Sequence, residues 1–430
     1  MRRPRLPYNP GLPWLAGLVL FCLLGVAFLK VPLEAMRDSR DFAVIYLSSL
    51  SWRQGFDPYK TEFFKDSWVK AGGDAEAMPD WPSLYPICTF PLMAPFTLLK
   101  WSSARFLWTL INSLTFIALL LILLALAGYR LNSWRGIILF AVSLFYFPAQ
   151  FAIAMGQPIV PAILFGVLSL QAAESKRWLY AGTLLGLSLA LKVNLGILFL
   201  GYFIIYRKWP GLGFCLITLT LISLLGALRL GWHNLSWVSS WLENYRMVTQ
   251  EWATSQAELH YPNSIFLLGL QYPLYKVIPN KFVVNMIAMG FGFIGLVILV
   301  KSSKLNTTPF GKLTMITAIS SILLITTYHR LADATILILL ILLISRMMKT
   351  PYSGYSKILT ALIIPVYLPG PKNLMNLAHS GFIPRVVTTS WWWNTVLLPY
   401  PVYCLLFISV VMLFLVVIDK ERHPLSLAPE

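Results

Sequence analysis

Residues 178–206 read WLYAGTLLGLSLALKVNLGILFLGYFIIY, and in these 29 residues the one charge, Lys192, falls in the middle. A membrane-spanning helix needs about 20 apolar residues. The stretch is therefore either one overlong helix or a hairpin of two half-length helices, with Lys192-Val193-Asn194 at its tip. The choice decides which way every later segment faces. Outward from it in both directions lie further apolar runs, at about 12–29, 106–127, 136–154, 158–173, 211–228, 282–300, 313–327, 331–345, 357–368 and 401–418. The hairpin gives twelve crossings and the single helix eleven.

Composition agrees with a chain built for lipid. Of 430 residues, 57% are hydrophobic and 12% charged, whereas soluble domains carry about 25% charged residues. Soluble domains, a disordered tail and a disulfide scaffold are thereby excluded, which leaves an all-α polytopic membrane protein. The basic excess, +17, is scattered in pairs and triplets between apolar runs. It forms no basic helix or aromatic-interleaved stripe, so nucleic acid is not an expected partner. The four cysteines are Cys22, Cys88, Cys215 and Cys404; they make neither a disulfide framework nor a CxxC metal pattern.

Charge placement favours the hairpin. With the N-terminus (Arg2, Arg3, Arg5) in the cytoplasm and twelve crossings, the inside segments hold 17 basic residues against four acids, and the longer outside segments 17 against 13. A single helix would turn every later short basic loop outward, against the positive-inside rule. Both termini are thus expected in the cytoplasm. The run 14–29 is expected to be an uncleaved first helix, because no A-x-A-like site follows it. The absence of an internal repeat counts against an inverted-repeat transporter.

The outer face carries most of the acids. The first outside loop, about 31–104, holds nine of the 17, including Asp38, Asp41, Asp57 and Asp80. Loops of that length usually carry function. Phe42, Ile45, Tyr46 and Leu50 have helical spacing, which predicts an amphipathic helix from Ser39 to Gln54 at the outer interface, capped by Asp38 or Ser39 and ended by Gly55. Further on, Tyr85-Pro86-Ile87-Cys88-Thr89-Phe90-Pro91-Leu92-Met93-Ala94-Pro95-Phe96 has three prolines, which argue against a regular helix and for a re-entrant segment roofing a pocket. A second large outside loop is expected at 229–281 and a last one at 369–399 with Trp391-Trp392-Trp393, where aromatic side chains suit the headgroup level. Other polar residues sit at outer helix ends: Gly156-Gln157-Pro158, Lys192-Val193-Asn194, Tyr261-Pro262-Asn263-Ser264 and Tyr328-His329-Arg330, with Asp333 one turn on. An ionisable residue at the depth of Lys192 is either a functional group or a cation snorkelling to the interface.

Taken in order, these motifs resemble the integral-membrane glycosyltransferases of family 87, which include polyprenol-phosphate-mannose-dependent mannosyltransferases and share the GT-C fold. Asp41-Phe42, Tyr46 and Gly55-Phe56-Asp57-Pro58-Tyr59 resemble the family's D-F…G-x-x-P-Y opening. Tyr85-Pro86, Phe90-Pro91 and Pro95-Phe96 resemble its Y-x-P-P-x-x…P segment. Gly156-Gln157, then Gly182, Gly186-Leu187-Ser188-Leu189-Ala190 and Lys192, and finally Asn263-Ser264 match later motifs. Asn194 stands where a proline often follows the lysine, and Tyr328 to Asp333 is a stretched form of the family's aromatic-Asp pair.

The resemblance implies transfer of a hexose, mannose first, from a polyprenyl-phosphate donor to an acceptor hydroxyl on a glycolipid or glycan, outside a membrane that short loops suit to the bacterial plasma membrane. It implies inversion at the anomeric carbon, with Asp41 as general base and Asp38 as its alternative. Lys192, His329 and Arg330 are the expected donor-phosphate ligands, and Tyr59, Tyr85, Gln157 and Asn263 the expected pocket residues. No cofactor is expected, and no metal, since the sequence shows no ligand cluster. A transporter or flippase for lipid-linked glycans, or a non-catalytic envelope subunit, are the competing readings.

Overall fold

Lys192 ends one helix and begins another. A computed structural model describes residues 25, 29–37, 39–79, 82–231, 235–247, 266–304, 306–348, 350–367 and 370–418. Seven of its helices build the region that carries the site: α1 (Arg40–Gln54), α2 (Trp101–Leu126), α3 (Ile159–Glu174), α4 (Trp178–Leu191), α5 (Val193–Ile205), α6 (Trp209–Arg229) and α7 (Pro309–Thr326). Between α4 and α5 the backbone of Lys192 is extended, with φ −152° and ψ 90°. The two helices then fold back on each other: a Cβ on Gly196 would lie 2.7 Å from the Cα of Leu189. The next helix confirms the sense. Gly182 of α4 packs on the backbone of Gly211, and a Cβ on Gly186 would lie 2.9 Å from the Cβ of Thr218, so α4 and α6 ascend together while α5 descends. The 29-residue run is a hairpin with Lys192 at its tip.

The described residues are all-helical apart from one isolated bridge, Leu267 with Arg330. Five helices are long and apolar enough to cross a membrane: α2, α6, Lys281–Ser302, α7 and Tyr400–Ile418. The pair Trp134–Leu144 and Phe147–Ala154, bent by 49°, is apolar enough to make a sixth if the two form one broken span rather than a re-entrant loop. Helices α3, α4 and α5 are apolar but shorter. Large apolar side chains on α6 (Leu216, Leu221) and on Lys281–Ser302 (Phe282, Phe293) face outward, as lipid-facing surfaces do. The expected first span at 12–29 lies almost wholly outside the described residues.

Three sequence expectations change. Helix α1 forms and ends at Gly55 in the left-handed region, φ 88°, but it is not a surface helix. Every residue from Phe42 to Trp52 is buried, because Ser48, Ser49 and Ser51, polar by type, are small enough to pack where an amphipathic helix would show water its polar face. Its start is not capped as expected. Ser39 takes φ 39°, and its hydroxyl donates back to the carbonyl of Ala35; Asp38 lies outside the described residues. The proline-rich segment does become helical, as a short α-helix Thr89–Met93 followed by a 3-10 turn Ala94–Leu98. Pro91 and Pro95 fall in the first turns of these pieces, where a missing N–H costs nothing. The run expected as one span at 331–345 opens as a 3-10 helix, Leu331–Leu337, before continuing as Ile338–Met347.

At the end of the hairpin remote from Lys192, Glu174 gathers several partners. Lys312 of α7 donates to it, Lys208 lies 3.2 Å away, and the Tyr202 hydroxyl donates at 3.0 Å. This cluster ties the ends of α3, α5 and α7 together.

Candidate active site

The site begins at a glycine turn. Gly156 follows Phe147–Ala154 with φ 70°, a conformation only glycine adopts without cost. It also lies so close to the start of α1 that a Cβ there would sit 2.7 Å from the Cβ of Phe42. The Trp108 indole donates to the Gly156 carbonyl at 2.7 Å, and the Asp41 amide donates to Met155 O at 3.1 Å. Phe42 is stacked between Trp101 and Trp108, with centroids 5.7 and 5.3 Å away. Packing thus sets α1, α2 and the glycine turn against one another and brings Gln157 to Asp41.

From there a chain of polar contacts runs across the site. Gln157 Nε2 donates to Asp41 Oδ2 at 2.5 Å, and Gln157 Oε1 accepts from Lys192 Nζ at 3.2 Å. Lys192 lies 3.9 Å from Asp333 Oδ1 and 5.8 Å from the centroid of the Tyr85 ring, a cation–π distance. Asp333 Oδ2 accepts from the Arg330 amide at 3.1 Å and from Asn194 Nδ2 at 3.3 Å, and lies 3.2 Å from His329 Nδ1. Asn194 Nδ2 also lies 3.4 Å from His329 Nδ1, so the three side chains form one cluster. The Arg330 side chain donates from Nε to the Tyr328 hydroxyl at 3.0 Å.

Electrostatics link the two ends of the chain. Burial, followed by the charges of Asp41 and Asp333, pushes the Tyr85 phenol well above its usual pKa, so it stays a neutral hydrogen-bond donor. Burial works against the Arg330 charge, but Tyr328, Asp41 and Asp333 outweigh it and hold the guanidinium above its ordinary range.

The structure therefore brings together Asp41, Gln157, Lys192, Tyr85, His329 and Arg330, six of the nine residues singled out from sequence. Tyr59 stands one layer behind the cluster, in contact with Tyr85. It is 2% exposed, its ring packs on Phe90 and Trp237, and its hydroxyl donates to the Tyr85 carbonyl at 3.0 Å. It supports Tyr85 from behind. Asp38 and Asn263 lie outside the described residues. Two members of the cluster, Asp333 and Asn194, had no role assigned from sequence. The available signal was an acid at the head of an apolar run, which is costly in a membrane and so tends to have a purpose.

Chemically, the arrangement pairs a carboxylate able to take a proton with two cationic side chains, Lys192 and Arg330, able to face an anion, and sets His329 beside them. Among the described residues no group of three His, Cys, Asp or Glu is placed to hold a metal.

Comparison with known proteins yields one match. No curated protein and no solved structure matches the chain. A family profile does: it matches residues 84–327, more than half of the sequence, and takes in Tyr85, Gln157, Lys192 and Asn194. On that match the chain belongs to glycosyltransferase family 87.

Proposed function

We propose that the protein transfers a hexose, with mannose the first candidate, from a polyprenyl-phosphate donor to an acceptor hydroxyl on the extracytoplasmic side of the membrane, with inversion. The acceptor oxygen attacks the anomeric carbon, the bond from that carbon to the phosphate oxygen breaks, and the acceptor proton passes to Asp41. Polyprenyl phosphate leaves with one more negative charge than it had as a diester. Asp41 is the base because its carboxylate reaches Lys192 through the Gln157 amide, whereas Asp333, the other carboxylate of the cluster, is tied down by the Arg330 amide, Asn194 and His329. That juxtaposition through Gln157 is the observation that carries the reading. Lys192 and Arg330 face the developing charge, which cations stabilise most in a site that excludes water. His329 belongs to the same half of the site.

The membrane setting supports a lipid-linked donor. Helices α4 and α5, of 14 and 13 residues, are each about 20 Å long at 1.5 Å per residue, against a hydrocarbon core of about 30 Å. Lys192 then lies below one surface, where a phosphate joined to an isoprenoid chain would be met. In the proposed topology the chain has twelve crossings of a bacterial plasma membrane, a GT-C arrangement and cytoplasmic termini. The acceptor is a glycolipid or glycan.

The test is reconstitution. Purified protein in lipid nanodiscs is incubated with radiolabelled polyprenyl-phosphate mannose and membrane glycolipid. Labelled glycolipid and free polyprenyl phosphate in equal amounts are expected, with the new linkage of opposite anomeric configuration to the donor. Failure to cleave any polyprenyl-phosphate hexose overturns the reading, as does donor movement across vesicles without cleavage.

A further inference from the structure

Asp333 is the most heavily engaged charge in the site, and the proposed transfer assigns it no step. Its side chain is 6% exposed, beside His329 at 1% and Lys192 at 17%. A carboxylate so buried is tolerable only if paired and hydrogen-bonded. The two oxygens are used differently. Oδ2 is anchored by the Arg330 amide, Asn194 and His329. Oδ1 accepts no hydrogen bond and faces the Lys192 ammonium across 3.9 Å. Asp333 is thus fixed from one side and presents a bare negative oxygen to Lys192 on the other.

Lys192 needs such a partner. A lysine side chain is a long, flexible stem carrying a point charge, and here it sits one amide away from Asp41. Moved onto Asp41, it would occupy a lone pair and favour the ionised carboxylate, which weakens a general base. We propose that Asp333 is a positioning residue for the transfer: anchored by Asn194, His329 and the Arg330 amide, it holds Lys192 in line for the donor phosphate, so that Lys192 meets Asp41 through the Gln157 amide. The inference rests on Asp41 as base and on a phosphate-bearing donor. It adds a residue that touches neither.

The charged and titratable groups facing Asp41 in this account are Lys192, Arg330, Asp333, His329 and Tyr85, with Gln157 neutral between. Asp333→Asn keeps the shape and removes one negative charge from that set. The surroundings of Asp41 become more positive, its ionised form is favoured, and the acid limb of the kcat profile moves to lower pH while the plateau falls. A plateau loss of roughly 30-fold is expected, about the size seen for strongly coupled neighbours. A residue that merely held the fold would lower the yield of active enzyme and leave the limb in place.

A double-mutant cycle with Lys192→Met completes the test. The combined variant should keep a rate within about threefold of Lys192→Met alone, because once the ammonium is gone its counter-ion has nothing to position. An unmoved acid limb in Asp333→Asn, or fold-losses that multiply across the cycle, would overturn the proposal. If Asp333→Asn alone does not fold, the double variant, which leaves no lysine charge unpaired, still decides. A further tenfold loss relative to Lys192→Met sinks the idea, and an equal rate upholds it. Asp41→Asn run alongside separates the two levels: full activity there removes the base, whereas the cycle reports on Asp333 and Lys192 whichever group is the base.

Discussion

Asp41 and Lys192 are joined by a single amide, with the Gln157 NH₂ donated to the carboxylate at 2.5 Å and its oxygen taken by the ammonium at 3.2 Å. Both ends fix the same orientation of the amide, since only its nitrogen can donate and only its oxygen can accept. Gln157→Glu puts a second carboxylate beside Asp41. Like charges disfavour ionisation, so the Asp41 pKa rises and the acid limb of the rate profile moves to higher pH. The rate should fall further at mildly acidic than at mildly alkaline pH, which a pH series of initial rates reads directly.

Asp41→Asn removes the proton acceptor and keeps the volume. General-base catalysis is worth about 10²–10⁴-fold, so transfer should drop by at least about 100-fold. Binding of a non-transferable polyprenyl-phosphate analogue should be nearly unchanged. Calorimetry in nanodiscs and a single-turnover assay measure the two effects separately, and a residual rate near wild type would place the base elsewhere.

Gly156→Ala acts on the scaffold. The added Cβ meets the Cβ of Phe42 at 2.7 Å, and the residue must also hold φ 70°. Such backbone strain and overpacking each cost about 1–3 kcal/mol. A lower melting temperature in detergent is expected, together with loss of activity, because the turn that carries Gln157 cannot settle against α1.

Tyr59→Phe distinguishes support from substrate contact. It deletes the hydrogen bond to the Tyr85 carbonyl, worth about 1 kcal/mol of stability. Thermal stability should fall slightly while KM for the donor stays put. A large rise in KM would make Tyr59 a substrate contact.

Much of this was legible in the sequence, and the parts that were not have identifiable reasons. Lys192 stood out because it is the one charge in 29 residues, and the basic residues of the later loops chose the hairpin over a single helix. Asp41, Tyr85 and Gln157 were carried by motif order. Asp333 was visible but mute. Its meaning depends on meeting Asn194, 139 positions away in the chain, and no local pattern encodes that encounter. The α1 pattern misled because hydropathy counts serine as water-loving, whereas three serine side chains on α1 are buried in protein. Proline position, rather than proline count, decided the segment from Thr89 to Leu98.

The half-length arms of the hairpin also constrain how the protein is made. Neither α4, at 14 residues, nor α5, at 13, reaches the roughly 20 apolar residues that let a helix enter a bilayer unaided. A lysine at the centre of an inserting helix carries a penalty of about 2.5–3.5 kcal/mol on the scale set by cellular insertion. The two arms must therefore enter as one unit, tip first, and the tip gains its counter-charge only when Asp333 has been synthesised, well over a hundred residues later. The site is therefore complete only once the C-terminal third of the chain, which carries Asp333, has been made.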